Sequence, residues 1–395
     1  VWVLLGFCLS LGFASVYAQQ PSDQQQPETT QEAPSTAIAT QEPEPTQYYF
    51  PAWSPDGQTI AYTSTGGIYV MGRDGSNPRQ ITPTFIFEGW TPDSQAVIVN
   101  ASYSQTDITG WWLYPIDGTE PQPFFPEFDL IYNVVYSDAG DQIVLSAQKT
   151  LSDPAGIWLA AIDAAGAVSA PVLIADTALN AYNILELHWT EIVGELKLKV
   201  SLKTTGKVFY IYLNTETASL PIQNLNSANI ELQKSDDSLD LGAGWSLYFK
   251  PNQNTFSPAY YARRLNQPAL GTLPMDGLIT DIHLAPDGRY LFYVRYCSPD
   301  EVPASLLNGE WSSADQETVR TSLHLIELTD ETGSTITGTD TTLIDCGIGS
   351  QLFPTFAPDA SSLIYVTASE TGWRFYWVDL VGDHALTPVD ITPTE

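Results

Sequence analysis

Two histidines stand where they could do chemistry. His188 and His283 each follow a carboxylate by two residues, Glu186 and Asp281. On a β-strand, side chains two apart share a face, so each pair presents a carboxylate and an imidazole side by side. Hard oxygen beside borderline nitrogen is a donor set for a divalent cation, and Glu186, His188, Asp281 and His283 are therefore a candidate metal site. The plainer reading is polar lining of a channel, and by it the chain needs no cofactor. Other catalytic signatures are missing from the sequence: no Gly-x-Ser-x-Gly elbow, no glycine-rich phosphate loop, no Cys-x-x-Cys and no His-Glu-x-x-His. From this the expectation is a protein that is not an enzyme.

The two pairs must be held by strands. From Tyr48 onward the chain alternates short apolar runs with Gly, Pro, Asp and Asn turns, and no stretch keeps a helical apolar period for long. Trp53-Ser54-Pro55-Asp56-Gly57 shows the unit best. Pro presets φ, Asp bonds its own turn backbone, and Gly takes the positive φ that closes the hairpin. A second turn follows at Asp74-Gly75, giving a four-stranded antiparallel meander. The anchor and turn recur at Trp90-Thr91-Pro92-Asp93, Tyr136-Ser137-Asp138-Ala139-Gly140, Leu284-Ala285-Pro286-Asp287-Gly288 and Phe356-Ala357-Pro358-Asp359. Degraded copies stand at Trp189-Thr190-Glu191 and Phe249-Lys250-Pro251-Asn252. His188 and His283 each directly precede an anchor, so they occupy equivalent positions on innermost strands. A single meander cannot bury both its faces, whereas a ring of them can.

These units resemble the WD40-like repeat of the TolB family, most closely at residues 50–82, 281–294 and 353–366. The resemblance implies an all-β fold, a β-propeller of four-stranded antiparallel blades over residues 48–395. The anchors favour seven blades, with six as the alternative if 225–275 is an insertion. It also implies a secreted or periplasmic protein that binds other proteins at the cell envelope. Gln19 to Gln47 offers only a tether in place of the small α/β domain that precedes the TolB propeller. Propellers with similar repeats also include polysaccharide lyases that use a metal and several histidines.

Composition bounds the partners. The chain has 395 residues, with 15 Lys and Arg against 46 Asp and Glu, a formal charge of −31. Charged residues make up only 15% of it, and bases are what it lacks. Such a surface cannot neutralise many phosphates, which excludes nucleic acid as a partner and disfavours anionic membranes. Residues 1–18 form an uncharged apolar run ending in Val16-Tyr17-Ala18, the pattern of a secretory signal peptide, so the mature chain is expected to have no stable membrane span. Residues 19–47, rich in Gln, Pro, Glu and Thr, read as a disordered tether. In an oxidising compartment the remaining cysteines, Cys297 and Cys346, are a disulfide candidate, with two free thiols as the alternative.

The long segments, Ala101 to Gly110, Ser146 to Gly156, Ala175 to Asn183 and Ser298 to Arg320, are expected to join second to third or fourth to first strands. Loops on a rigid scaffold are where binding usually sits. The aromatics and acids in and beside such loops, Tyr103, Asp107, Trp111, Trp112, Glu310, Trp311, Asp315, Glu370 and Trp373, are candidates for contacting a protein partner or a sugar. The leading expectation is thus a protein-binding module. The alternative is a metal-dependent carbohydrate-active enzyme, or a saccharide-binding propeller, built on the two His–carboxylate pairs.

Overall fold

The computed structural model describes residues 48–393 apart from 84–85, 102–109, 138, 154, 164–165, 176–182, 193–194, 205–206, 214–237, 243–244, 251–258, 265–270, 276, 278, 299–319, 332–334, 349–352, 370–371 and 383–384. The expected signal peptide and tether, residues 1–47, lie outside the described residues. Among those residues every element is a strand, and each sheet is built from strands consecutive in the chain. No helix of the described residues is long and apolar enough to cross a membrane.

The first sheet contains β1 (Tyr48–Trp53), β2 (Thr59–Ser64), β3 (Gly67–Gly72) and β4 (Arg79–Thr82). The second holds β5 (Ile86–Trp90), β6 (Ala96–Asn100), β7 (Trp111–Pro115) and β8 (Gln122–Pro123). The third comprises β9 (Leu130–Tyr136), β10 (Gln142–Gln148), β11 (Gly156–Ala161) and β12 (Val172–Ala175). In the fourth, three strands are described: β13 (Asn183–Ile192), β14 (Glu195–Thr204) and β15 (Lys207–Leu213). The fifth is β16 (Ser238–Gly242), β17 (Trp245–Lys250), β18 (Ala259–Arg264) and β19 (Gly271–Thr272). The sixth runs through β20 (Ile279–Leu284), β21 (Tyr290–Tyr296), β22 (Arg320–Glu331) and β23 (Thr335–Ile348). The last is β24 (Thr355–Phe356), β25 (Ser362–Ser369), β26 (Gly372–Asp379) and β27 (Pro388–Asp390).

Alternation along each second strand explains why these sheets stack. In β2, Ile60 and Tyr62 pack with Ile364, Val366 and Phe375 of the last sheet, while Ala61 between them packs with Val97 and Val99 of the second. Strand β21 repeats the division: Leu291 and Tyr293 meet Leu247 and Leu273 of the fifth sheet, whereas Tyr290, Phe292 and Val294 meet Leu363 and Tyr365 of the last. Both faces are covered, so Tyr290–Val294 of β21 is one continuous apolar run. First strands approach one another between neighbouring sheets, β9 with β13, β16 with β20 and β1 with β24, and so form an inner wall.

The described strands place the long segments as expected, after β6, β10, β12 and β21. One anchor moves. Phe249 lies on the second strand β17, not at a first-to-second turn, because Pro251 and Asn252 imitate the turn motif; that sheet turns between Gly242 and Trp245 instead.

Candidate functional site

Strand β20 carries the best-defined pair. Its ladder to β21 skips Thr280, a bulge between the pairings of Ile279 and Asp281, and then runs regularly to Leu284. Bulges re-aim side chains and recur next to functional sites. Beyond this one, His283 Nε2 stands 2.9 Å from Asp281 Oδ1, and the same oxygen accepts the Ile282 amide at 2.9 Å. The carboxylate is thus fixed from two sides. Assigned from that bond, the neutral imidazole donates Nε2–H to Asp281 and keeps its lone pair on Nδ1. The His283 ring rests against Phe292, centroids 5.1 Å apart, with 55% of the side chain exposed.

Strand β13 repeats this register. Its ladder skips Leu185, so the bulge stands four residues before Trp189, with Glu186 three and His188 one residue before it. Thr280, Asp281 and His283 hold the same offsets from Leu284. The backbone therefore presents the two pairs equivalently; the Glu186 and His188 side chains lie outside the described residues. Among the described residues no group of three or more His, Cys, Asp and Glu side chains comes together to hold a metal. One Asp281 oxygen is already engaged by His283 and the Ile282 amide, two of the four candidate donors lie outside the described side chains, and no step below passes through a metal.

Further polar groups line first strands. Glu88 is the bulged residue of β5, between Phe87 and Gly89 in the ladder, and accepts a bond from Asn100 Nδ2 at 3.1 Å. It reaches solvent, yet the protein around it desolvates the carboxyl and pushes its pKa up, against a smaller downward effect of the Asn100 bond. Tyr132, skipped in the ladder of β9, donates its hydroxyl to Gln148 Oε1 at 2.8 Å.

A second constellation escaped the sequence. His324 stands 2.9 Å by Nε2 from Ser322 Oγ and 3.2 Å by Nδ1 from both Asp340 oxygens. That order of groups is the order of a nucleophilic triad. Two observations argue against the role. Arg295 donates from Nε to His324 Nε2 at 3.1 Å, so the nitrogen that would serve as base is occupied. His324 and Ser322 are also only 4% and 1% exposed. With Tyr293 stacked on His324 at 4.7 Å and donating to Asp340 Oδ2 at 2.9 Å, the cluster is a buried, satisfied network that fixes β21, β22 and β23 together. The Ser322-x-His324 spacing was visible in the sequence. Asp340 was not, since the β22–β23 hairpin brings it there.

The proposed loop-face residues divide. Tyr103, Asp107, Glu310, Trp311, Asp315 and Glu370 lie outside the described residues. Trp111 is a correction: only 6% exposed, it packs among Ile98, Ile131 and Leu145 and has no face to offer a partner. Trp112 and Trp373 are half-buried and pack beside the cores on either side of the first sheet. Cys297 and Cys346 are joined in a disulfide, Cα atoms 5.6 Å apart, that crosses β22.

Comparison with known proteins adds the fold. The chain is similar to a solved oligogalacturonate lyase in complex with manganese, with a TM-score of 0.51 and 10% identity over 85% of this chain and 91% of that one. The fold is a β-propeller. A prolyl oligopeptidase B from Galerina marginata matches with a TM-score of 0.47 and 14% identity over 86% of this chain; the chain spans 47% of that protein. No protein-family model matches, and no curated protein does. The resemblance to TolB therefore extends to the propeller fold and no finer. The expectation of a non-enzyme is corrected as well. The oligogalacturonate lyase that shares the fold is an enzyme, so a propeller without a recognisable catalytic motif is no ground for setting catalysis aside.

Proposed function

We propose that the protein is a carbohydrate-active propeller, with the Asp281–His283 pair on the inner wall as its proton-transferring group. The observation that carries this is the 2.9 Å bond that holds a half-exposed imidazole with Nδ1 free of Asp281. Support comes from the equivalent register of Glu186 and His188 on β13 and from the likeness in fold to an oligogalacturonate lyase. A uronate suits such a base. The hydrogen on the carbon next to its carboxylate is acidic enough for removal by an oriented imidazole, whereas neutral sugars carry no such hydrogen. In the elimination His283 takes that proton, the C–H pair becomes a C=C bond, the neighbouring C–O bond breaks, and the departing oxygen gains a proton from water. Asp281 holds the ring and stabilises the imidazolium formed.

The reading is tested by incubating the protein with a panel of oligouronides and neutral oligosaccharides, each with and without Mn²⁺, and following the ultraviolet absorbance of an unsaturated uronate. His283→Ala should lose about 10²-fold or more of the rate, and Asp281→Asn a smaller share. Because the chain carries −31, added salt should lower KM for a uronate by screening the repulsion. Neither binding nor cleavage of any saccharide by the wild type, or an undiminished His283→Ala variant, would overturn it. The protein-partner reading loses Trp111 to the core and gains no observation in return. An extracytosolic location is part of the proposal, supported by the Cys297–Cys346 disulfide.

A further inference from the structure

Two phenylalanines hold backbone conformations that phenylalanine ordinarily avoids. Phe50 has φ 52° and Phe353 has φ 37°, both in the left-handed region, and their rings meet with centroids 4.3 Å apart at 48°. A bulky L residue is strained there, whereas glycine would take the same backbone freely and asparagine with little strain. Burial does not explain the choice, since Phe50 is 40% exposed. The junction between the first and last sheets is already filled by Trp53, Tyr62, Ile364 and Phe375. Strain kept in an exposed aromatic points to function rather than stability.

The position of the pair says which function. Phe50 lies in the bulge of β1, between the pairings of Tyr49 and Ala52, on a strand of the inner wall. Phe353 precedes the anchor Phe356 by three residues, the offset at which Asp281 precedes Leu284 on the adjoining sheet. Phe356 touches Phe292 at 5.2 Å, and Phe292 carries the His283 ring. The aromatic pair and the acid–imidazole pair thus belong to one stretch of inner wall, running from the sixth sheet through the last to the first.

We propose that Phe50 and Phe353 form a stacking platform for the apolar face of a pyranose ring, one subsite along from Asp281 and His283. A sugar ring has a C–H face and a rim of hydroxyls, so it needs an aromatic plane beside polar groups, and this wall supplies both. A purely apolar ligand would make no use of the neighbouring carboxylate and imidazole. The inference rests on the saccharide reading above and adds that the bound chain spans at least two sugar residues.

The test measures affinity by titration calorimetry for an acidic oligouronide and a neutral β-linked oligoglucoside, together with the thermal midpoint. Phe50→Gly should weaken binding about tenfold while leaving the midpoint unchanged or raised, because glycine relieves the backbone. Phe353→Asn should behave likewise, and Phe50→Tyr, which keeps the ring, should stay within about threefold of wild type. Unchanged affinity with a lowered midpoint in Phe50→Gly would show a clasp between first and last sheets and overturn the platform. If His283→Ala loses binding while Phe50→Gly keeps it, the platform alone falls. If the wild type binds neither sugar, both readings fall together.

Discussion

Glu88 shows how the inner wall treats a charge. Surrounding protein raises its carboxyl pKa, and the Asn100 bond opposes this only in part. A carboxyl raised in the folded state binds its proton more tightly there than in the unfolded chain. Its contribution to stability is full below the unfolded value and lost as pH rises through the folded one. Glu88→Gln should therefore raise the thermal midpoint at neutral pH, and its advantage over wild type should shrink as pH falls toward about 4. Calorimetry across that range checks it, and a pH-independent difference would contradict the assigned cause. The same scale shows what the sequence could disclose. Asp281 and His283 were legible because their contact depends only on two-residue alternation within one strand. The His324–Asp340 contact depends on a hairpin register spanning 16 residues, which local spacing does not encode. Trp111 and Trp112 point to opposite faces of β7, and since both faces of the second sheet are covered, neither face is a free surface.

At the scale of the element, the repeated turn is the most legible feature and contains its own control. Ser54, fully buried, donates from Oγ to Asp56 Oδ1 at 2.6 Å and accepts the Thr59 amide at 2.9 Å. Thr91 and Ser137 make the same two kinds of bond, to Asp93 and Ala96 and to Asp141 and Gln142. In the sixth and last sheets the position is Ala285 or Ala357, and the backbone bonds Ala285 N to Tyr290 O and Ala357 N to Ser362 O close the turn without a hydroxyl. Ser54→Ala should accordingly cost about 1–2 kcal/mol, through a partly unsatisfied Thr59 amide and an Asp56 carboxylate left with only the Gln58 amide, without unfolding the first sheet. Chemical denaturation measures it; complete loss of the fold would mean the hydroxyl does more than close a turn. Where the motif decays, the sequence misleads. Phe249-Lys250-Pro251-Asn252 has the residue types of the turn, yet Phe249 pairs with Tyr260 in mid-ladder. Pro and Asn mark the end of a second strand as readily as the end of a first one.

For the whole molecule the critical feature is where the ring meets itself. Among the described residues every sheet is made of consecutive strands, and no shared strand ties the first sheet to the last. The junction is held by side chains, Ile60, Tyr62 and Met71 against Ile364, Val366 and Phe375, and by the bond from Trp53 Nε1 to the Thr355 carbonyl at 3.4 Å. The sequence could place the repeats but not this closure, since packing between residues some 300 apart leaves no local trace. Gly75 offers a controlled probe of it. It turns β3 into β4 at φ 80°, and a Cβ there would collide with the Ile391 carbonyl of the last sheet. Gly118 turns β7 into β8 at φ 84° with nothing within 4 Å of such a Cβ. Both Ala substitutions carry the same left-handed strain, about 1–2 kcal/mol, so the excess loss in Gly75→Ala reports the junction alone. That excess should be large, because backbone on the facing side cannot swing away as a flexible side chain would, and the first and last sheets must part to admit the methyl group. Equal losses in the two variants, measured by denaturant unfolding at one pH, would mean that the closure gives way at no cost and that the ring is held elsewhere.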